Sequence, residues 1–217
     1  ALGVGASLTW YFRTTIFLWL LAPAADQLSA TGQPIFTGPT EMFSLTVNLT
    51  MKGGVVAASP MLAYNVYRLL SPLLSKRQRR FTVLFLPMAF VCFAGGTAFA
   101  YFVLLPTGLK FLLQFGTDIA APMIRITEYV DLALAMIFWL GVAFELPLVM
   151  LLLAKLRVVE YRRFKRFRRY VPATAFILSA IITPTFDVVN QTLVALPLIC
   201  LFEVGVFLSW LVRPKRV

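Results

Sequence analysis

The chain has 217 residues, 60% of them hydrophobic, a mean hydropathy of +0.84 and a formal net charge of +11. Soluble domains average about 45–50% apolar residues, so this composition excludes a water-soluble globular protein and describes a single integral membrane domain. Histidine is absent, which removes the commonest general base and metal ligand, and Cys92 and Cys200 lie far apart in hydrophobic runs, where they read as small apolar packers.

The first apolar stretch covers residues 1–22. Ala1 to Phe12 is too short to cross a bilayer, Arg13 closes it, and Thr14 to Ala22 forms a second apolar piece ended by Pro23. The stretch reads as the far end of a truncated first helix. A native N-terminal segment is expected ahead of Ala1, and no cleavable signal peptide is recognisable. Residues 23–42 hold Pro23, Gly32, Pro34, Gly38 and Pro39 without a basic residue, the composition of a turn-rich loop. A second span runs over 43–70. Lys52, Gly53-Gly54 and Pro60 inside it all weaken or bend a helix. Lys52 either snorkels outward or pairs with an acid that the sequence does not identify. Pro72 and the run Lys76-Arg77-Gln78-Arg79-Arg80 close this segment.

The third span covers 81–105, with Gly95-Gly96 suited to close helix approach. A loop over 106–128 carries Lys110, Asp118, Arg125 and Glu128. The fourth span, 129–154, holds Glu145 in its middle. A carboxylate there costs about 2.5–3.5 kcal/mol, so it faces a partner, a wet cavity or a substrate, or else is protonated or satisfied by a neighbouring helix. Residues 155–169 form a basic segment with eight Lys or Arg and one acid, Glu160. The fifth span, 170–186, is short for a full crossing, and Thr183 to Asp187 turns tightly into a sixth span, 188–212, which carries Glu203. The fold class is therefore all-α, a polytopic membrane protein.

Fifteen basic residues fall in the 76–80 loop, the 155–169 loop and the C-terminal tail, against two in the alternate loops. The positive-inside rule makes the basic side cytoplasmic and, with six spans, places both termini there. Anionic lipid headgroups suffice as counterions, so the charge needs no nucleic acid. Glu145 and Glu203 each precede a basic anchor, Lys155 and Arg213, by ten residues, about 15 Å of helix, so both acids are expected at one depth, where they could line a single polar cavity. Asp187 and Gln191 form a separate polar group at the outer end, with Asp187 also suited to cap the sixth helix. No nucleophile dyad, metal-ligand spacing or phosphate loop is present, so an enzyme or an ATP-driven motor is not expected and no cofactor is implied.

Several motifs occur in order along nearly the whole chain: Pro39-Thr40-Glu41-Met42-Phe43, Ser59-Pro60-Met61-Leu62-Ala63-Tyr64, Ser71-Pro72-Leu73-Leu74 leading to Arg79-Arg80, Gly96 to Tyr101 with Pro106, Phe144-Glu145-Leu146-Pro147, Thr183-Pro184 with Asp187 to Gln191, and Phe202-Glu203-Val204-Gly205. In these the chain resembles the TatC family, the multispanning receptor subunit of the twin-arginine protein translocase. The resemblance implies six transmembrane helices in a curved, glove-like arrangement with short fifth and sixth spans, in an oligomeric complex of the bacterial plasma membrane or of a mitochondrial inner or thylakoid membrane. It implies recognition of the Arg-Arg signal peptides of folded cargo at a cytoplasmic loop, here Pro72, Lys76, Gln78, Arg79 and Arg80. It further implies partners of the single-span TatA and TatB type and transport driven by the proton-motive force. Glu145, Asp187, Gln191 and Glu203 fall on the family's intramembrane polar positions.

One departure concerns the signal reader. The family contacts the arginine pair with one carboxylate in the N-terminal segment and one in the first cytoplasmic loop, where this chain has Gln78. Gln accepts a guanidinium hydrogen bond but loses the stronger ionic contact. Two readings follow: a working receptor with a divergent signal site, or a degenerate chain of the same descent serving as a structural subunit of another membrane complex. A proton-coupled solute transporter would need inverted repeats, which the sequence does not display.

Overall fold

The computed structural model describes residues 2–24, 38, 40–70, 76–114, 125–156, 158–183 and 188–212. These residues are almost wholly helical, as a chain must be where no water is available to satisfy its backbone. Helices α1 (Leu2–Tyr11) and α2 (Arg13–Leu21) meet at Phe12. The Phe12 N–H still bonds to the Leu8 carbonyl at 3.1 Å, and its carbonyl accepts from Ile16 N–H at 3.0 Å. Arg13 thus opens a helix, contrary to the expectation that it closes one. Its guanidinium lies 4.8 Å from the Trp10 ring, whose negative face lowers the cost of a cation in an apolar stretch.

Helix α3 (Glu41–Leu70) runs unbroken through Gly53-Gly54 and Pro60. The glycine pair, expected to weaken the helix, serves instead as a crossing point for α1. A Cβ on Gly54 would lie 2.9 Å from the Ala6 backbone, and one on Gly5 would lie 2.5 Å from the Gly54 carbonyl oxygen. Helices in lipid associate through such close backbone contacts because burial from water no longer drives them together.

Helix α4 (Lys76–Phe99) passes through a π-helical turn, Ala100–Leu104, into α5 (Leu105–Gln114). Residues 106–114, expected as the start of a loop, are therefore helical. Pro106 occupies the first turn of α5, where a missing N–H is tolerated, and the π turn widens the ladder just before it, with Leu105 N–H bonded to the Ala100 carbonyl. Helices α6 (Ile126–Phe144) and α7 (Leu146–Lys155) meet at Glu145. The basic segment expected as a loop contains a short helix, α8 (Tyr161–Phe167), because Phe164 and Phe167 give it an apolar side. Helix α9 (Val171–Ile182) has 12 residues, about 18 Å of rise, well short of the hydrocarbon thickness. Helix α10 (Val188–Leu211) follows; the expected turn at 184–187, with Asp187, lies outside the described residues. Among the described residues, three helical stretches are long and apolar enough to cross a membrane: Pro87–Phe111, Ile126–Lys155 and Val188–Leu211.

The chain forms two compact units, residues 1–61 with 97–138 and residues 62–96 with 139–217. In the first, the hydroxyls of Tyr101 and Tyr129 donate to the carbonyls of Trp19 and Leu20 at 2.6 and 2.5 Å, and the Tyr101 ring stacks on Trp19 at 3.8 Å. The Ala22 N–H already bonds to the Leu18 and Trp19 carbonyls, and the two tyrosines add donors to the last carbonyls of α2, which a helix end leaves under-satisfied. In the second unit, α10 packs on α7 and α9. Gly96 lies against α6, where a Cβ would sit 2.6 Å from the Leu140 carbonyl oxygen, whereas its neighbour Gly95 faces open space.

Candidate intramembrane polar site

Glu145 owes its setting to Pro147. Proline has no N–H, so the carbonyl four residues back, at Ala143, loses its helical donor and the ladder slips. Glu145 N–H bonds three residues back to Val142 at 3.1 Å, and the regular pattern resumes with Val149 N–H on the Glu145 carbonyl at 2.9 Å. The side chain at this break is half-buried and does not cap the following helix. Its carboxylate makes no hydrogen bond or ion pair with another described residue. A carboxylate left so within an apolar span is chemically equipped to accept donors from a second molecule.

Glu203 is differently placed. Arg168 Nε donates to Glu203 Oε1 at 2.5 Å, joining the turn after α8 to α10. The acid expected to share a cavity with Glu145 is thus already neutralised by the basic segment. A nearby pocket of about 350 Å³ is lined by apolar residues including Leu146, Met150, Phe167, Leu178, Leu198 and Phe202. Glu145 and Glu203 each adjoin one of these residues in sequence, yet neither lines the pocket.

Gln191 Nε2 donates to the Phe176 carbonyl at 2.9 Å, tying α10 to α9 through a backbone oxygen. Beside it, Asn190 is fully buried. The backbone of Lys76, Gln78, Arg79 and Arg80 forms the first turns of α4; their side chains, and Pro72, lie outside the described residues.

The largest addition to the sequence reading is Asp131. Its Oδ1 accepts from Lys52 Nζ at 3.0 Å and from Asn48 Nδ2 at 2.8 Å, which supplies the unidentified partner of Lys52. A signal was present: Asn48 and Lys52 are one turn apart on a helix face, and Asp131 lies within the expected fourth span beside the better-marked Glu145. Glu41 forms a second such centre, accepting from Thr127 Oγ1 and from Gly38 N–H at 3.2 Å, with Arg125 at 4.0 Å.

The family model for Sec-independent protein translocase protein (TatC) matches residues 1–197. A TatC protein of Carboxydothermus hydrogenoformans is 35% identical over 182 residues, 84% of this chain and 75% of that protein. TatC of Aquifex aeolicus is 32% identical over 215 residues, 98% of this chain and 88% of that protein. TatC of Escherichia coli K12 is 33% identical over 199 residues, 92% of this chain and 77% of that protein. A crystal structure of the twin-arginine translocase receptor TatC superposes with a TM-score of 0.88 at 33% identity, covering 98% of this chain and 92% of that one. With its helical makeup, its motifs and its full-length structural match in agreement, the chain belongs to the TatC family of Sec-independent protein translocase proteins.

Proposed function

We propose that the chain is the receptor subunit of a twin-arginine translocase, taking signal peptides of folded proteins at the cytoplasmic face and docking single-span TatA- and TatB-like subunits within the bilayer. In this reading the chain makes six crossings in a curved arrangement with both termini cytoplasmic in a bacterial plasma membrane, a topology supported by the family match and by the fifteen basic residues in alternate loops. Pro72, Lys76, Gln78, Arg79 and Arg80 form the signal loop. Glu145, Asp187, Gln191 and Glu203 form the intramembrane docking positions, anionic lipids balance the basic face, and the proton-motive force drives export. The chain carries no chemistry of its own in this scheme; it binds and positions.

The observation that carries this reading is Glu145, a half-buried carboxylate at a helix break without a hydrogen-bonding or ionic partner among the described residues. Glu145→Ala is expected to abolish crosslinking to co-expressed single-span subunits and export of a twin-arginine reporter while the folded yield in detergent extracts holds. Loss of the folded protein would instead make Glu145 a structural group. The second reading, a structural subunit of another complex, is favoured by Gln78, which supplies no charge where an arginine pair is to be read. Gln78→Glu is expected to strengthen signal-peptide crosslinking. No crosslink in either form, with other membrane subunits co-purifying, would establish the second reading.

A further inference from the structure

The apolar pocket of the second unit has features that partner docking and signal reading do not use. Its walls come from α7, α8, α9 and α10, and its volume of about 350 Å³ falls within the range of ligand clefts, about 300–1,000 Å³. Phe164, Phe167 and Tyr170 line one side of it, and Phe167 and Tyr170 remain 58% and 48% exposed. The cations stand at the same place. The Arg169 guanidinium lies 4.6 Å over the Tyr170 ring and donates to its hydroxyl at 2.5 Å, which brings a positive charge to the rim. Arg162, Arg163, Lys165 and Arg166 are exposed on α8. Arg168 is committed to Glu203, and that ion pair holds the turn after α8 against α10, so that the aromatic side of α8 stays over the pocket.

We propose that this pocket and its basic rim bind one anionic phospholipid, with an acyl chain among Phe164, Phe167, Leu178 and Phe202 and the phosphate on Arg169 and the neighbouring cations of α8. The proposal rests on the reading that the end of the 126–155 span marks the membrane boundary. Tyr161 follows Lys155 after a short link, so α8 lies at headgroup level, with its aromatic side chains toward apolar surroundings and its cations outward. Charge selects the occupant. The six cations at 162, 163, 165, 166, 168 and 169 outnumber the nearby acids, Glu160 and the already paired Glu203, so the rim repels an arginine-bearing peptide and attracts a phosphate. The pocket distinguishes this from the diffuse attraction of any basic surface, because it gives one lipid a place to insert a chain.

The test uses the full chain purified in neutral detergent. Phosphatidylglycerol or phosphatidylcholine with identical acyl chains is titrated in, and lipid retained per protein is read by native mass spectrometry. Phosphatidylglycerol is expected to be retained in preference, at one molecule per chain. Arg169→Gln should weaken retention about five-fold, the equivalent of one membrane-proximal charge. Leu178→Trp, which fills the pocket from an exposed lining position and leaves every charge in place, should abolish the one-molecule stoichiometry. If Leu178→Trp yields no folded protein, Thr174→Met fills the same pocket. Equal retention of phosphatidylcholine, or unchanged retention in the pocket-filling variant, would overturn the proposal. So would displacement of the lipid by a twin-arginine signal peptide, since the pocket would then belong to the peptide. The receptor reading stands or falls separately, on signal-peptide crosslinking in membranes.

Discussion

In the first compact unit, Lys52 meets Asp131 and Asn48, Glu41 meets Thr127 and Arg125, and the last carbonyls of α2 meet Tyr101 and Tyr129. In the second, Glu145 has no such partner among the described residues, and Glu203 is joined to an arginine that is 58% exposed. The same class of group, a carboxylate within an apolar stretch, serves two ends. Where donors come from the same chain, the polar contact fixes helix against helix, because leaving either side unmatched in lipid is costly. Where they do not, as at Glu145, the cost is retained, and the proposed docking role is built on that. Under the proposed function, the first unit is scaffold and the second carries the working surface.

The strongest way to break this contrast is Asp131→Leu, which strands the Lys52 ammonium. Removing one member of a fully buried pair costs about 3–5 kcal/mol; with both side chains more than a third exposed, about 2 kcal/mol is expected in detergent unfolding. Adding Lys52→Met should restore most of it, since the pair is then replaced by apolar contact. If Asp131→Leu costs nothing, the ion pair is not structural. Next comes Tyr129→Phe, expected to cost about 1 kcal/mol through the orphaned Leu20 carbonyl and to loosen α2, read as faster hydrogen exchange at the end of that helix. Arg168→Gln should cost under about 1 kcal/mol, with a loss that shrinks as salt is raised, as for exposed ion pairs. The smallest stability effect belongs to Glu145→Gln, within about 0.5 kcal/mol, paired with the largest functional effect, loss of partner crosslinking. A stability loss at Glu145 as large as that at Asp131 would erase the distinction between the two units.

Much of this was legible without coordinates. Hydropathy marked the stretch around Glu145 as membrane-embedded, although the helix break that Pro147 makes there emerged only from the structure. The acid's exceptional position followed from local sequence alone. Other features misled for physical reasons. Arg13 looked like a boundary because a charge ends most apolar runs, but the Trp10 ring face receives it within the helical path. Gly53-Gly54 looked like a weak point because glycine lowers helix propensity, yet the missing side chains are what let α1 approach α3. Pro106 looked like a stop, and a π turn just before it carries the chain onward.

The sequence by itself determined the membrane class, the helical makeup and the TatC family, because hydropathy and motif spacing are read along the chain and need no partner. Which charge answers which was decided only by tertiary structure. Lys52 and Asp131 are 79 residues apart, and Arg168 and Glu203 are 35 apart. No local periodicity encodes such pairings; they exist only once helix packing has brought the side chains within hydrogen-bond reach. For Glu145, packing brings no hydrogen-bonding or ionic partner from the described residues, and that distinguishes it from Asp131 in the same long apolar span.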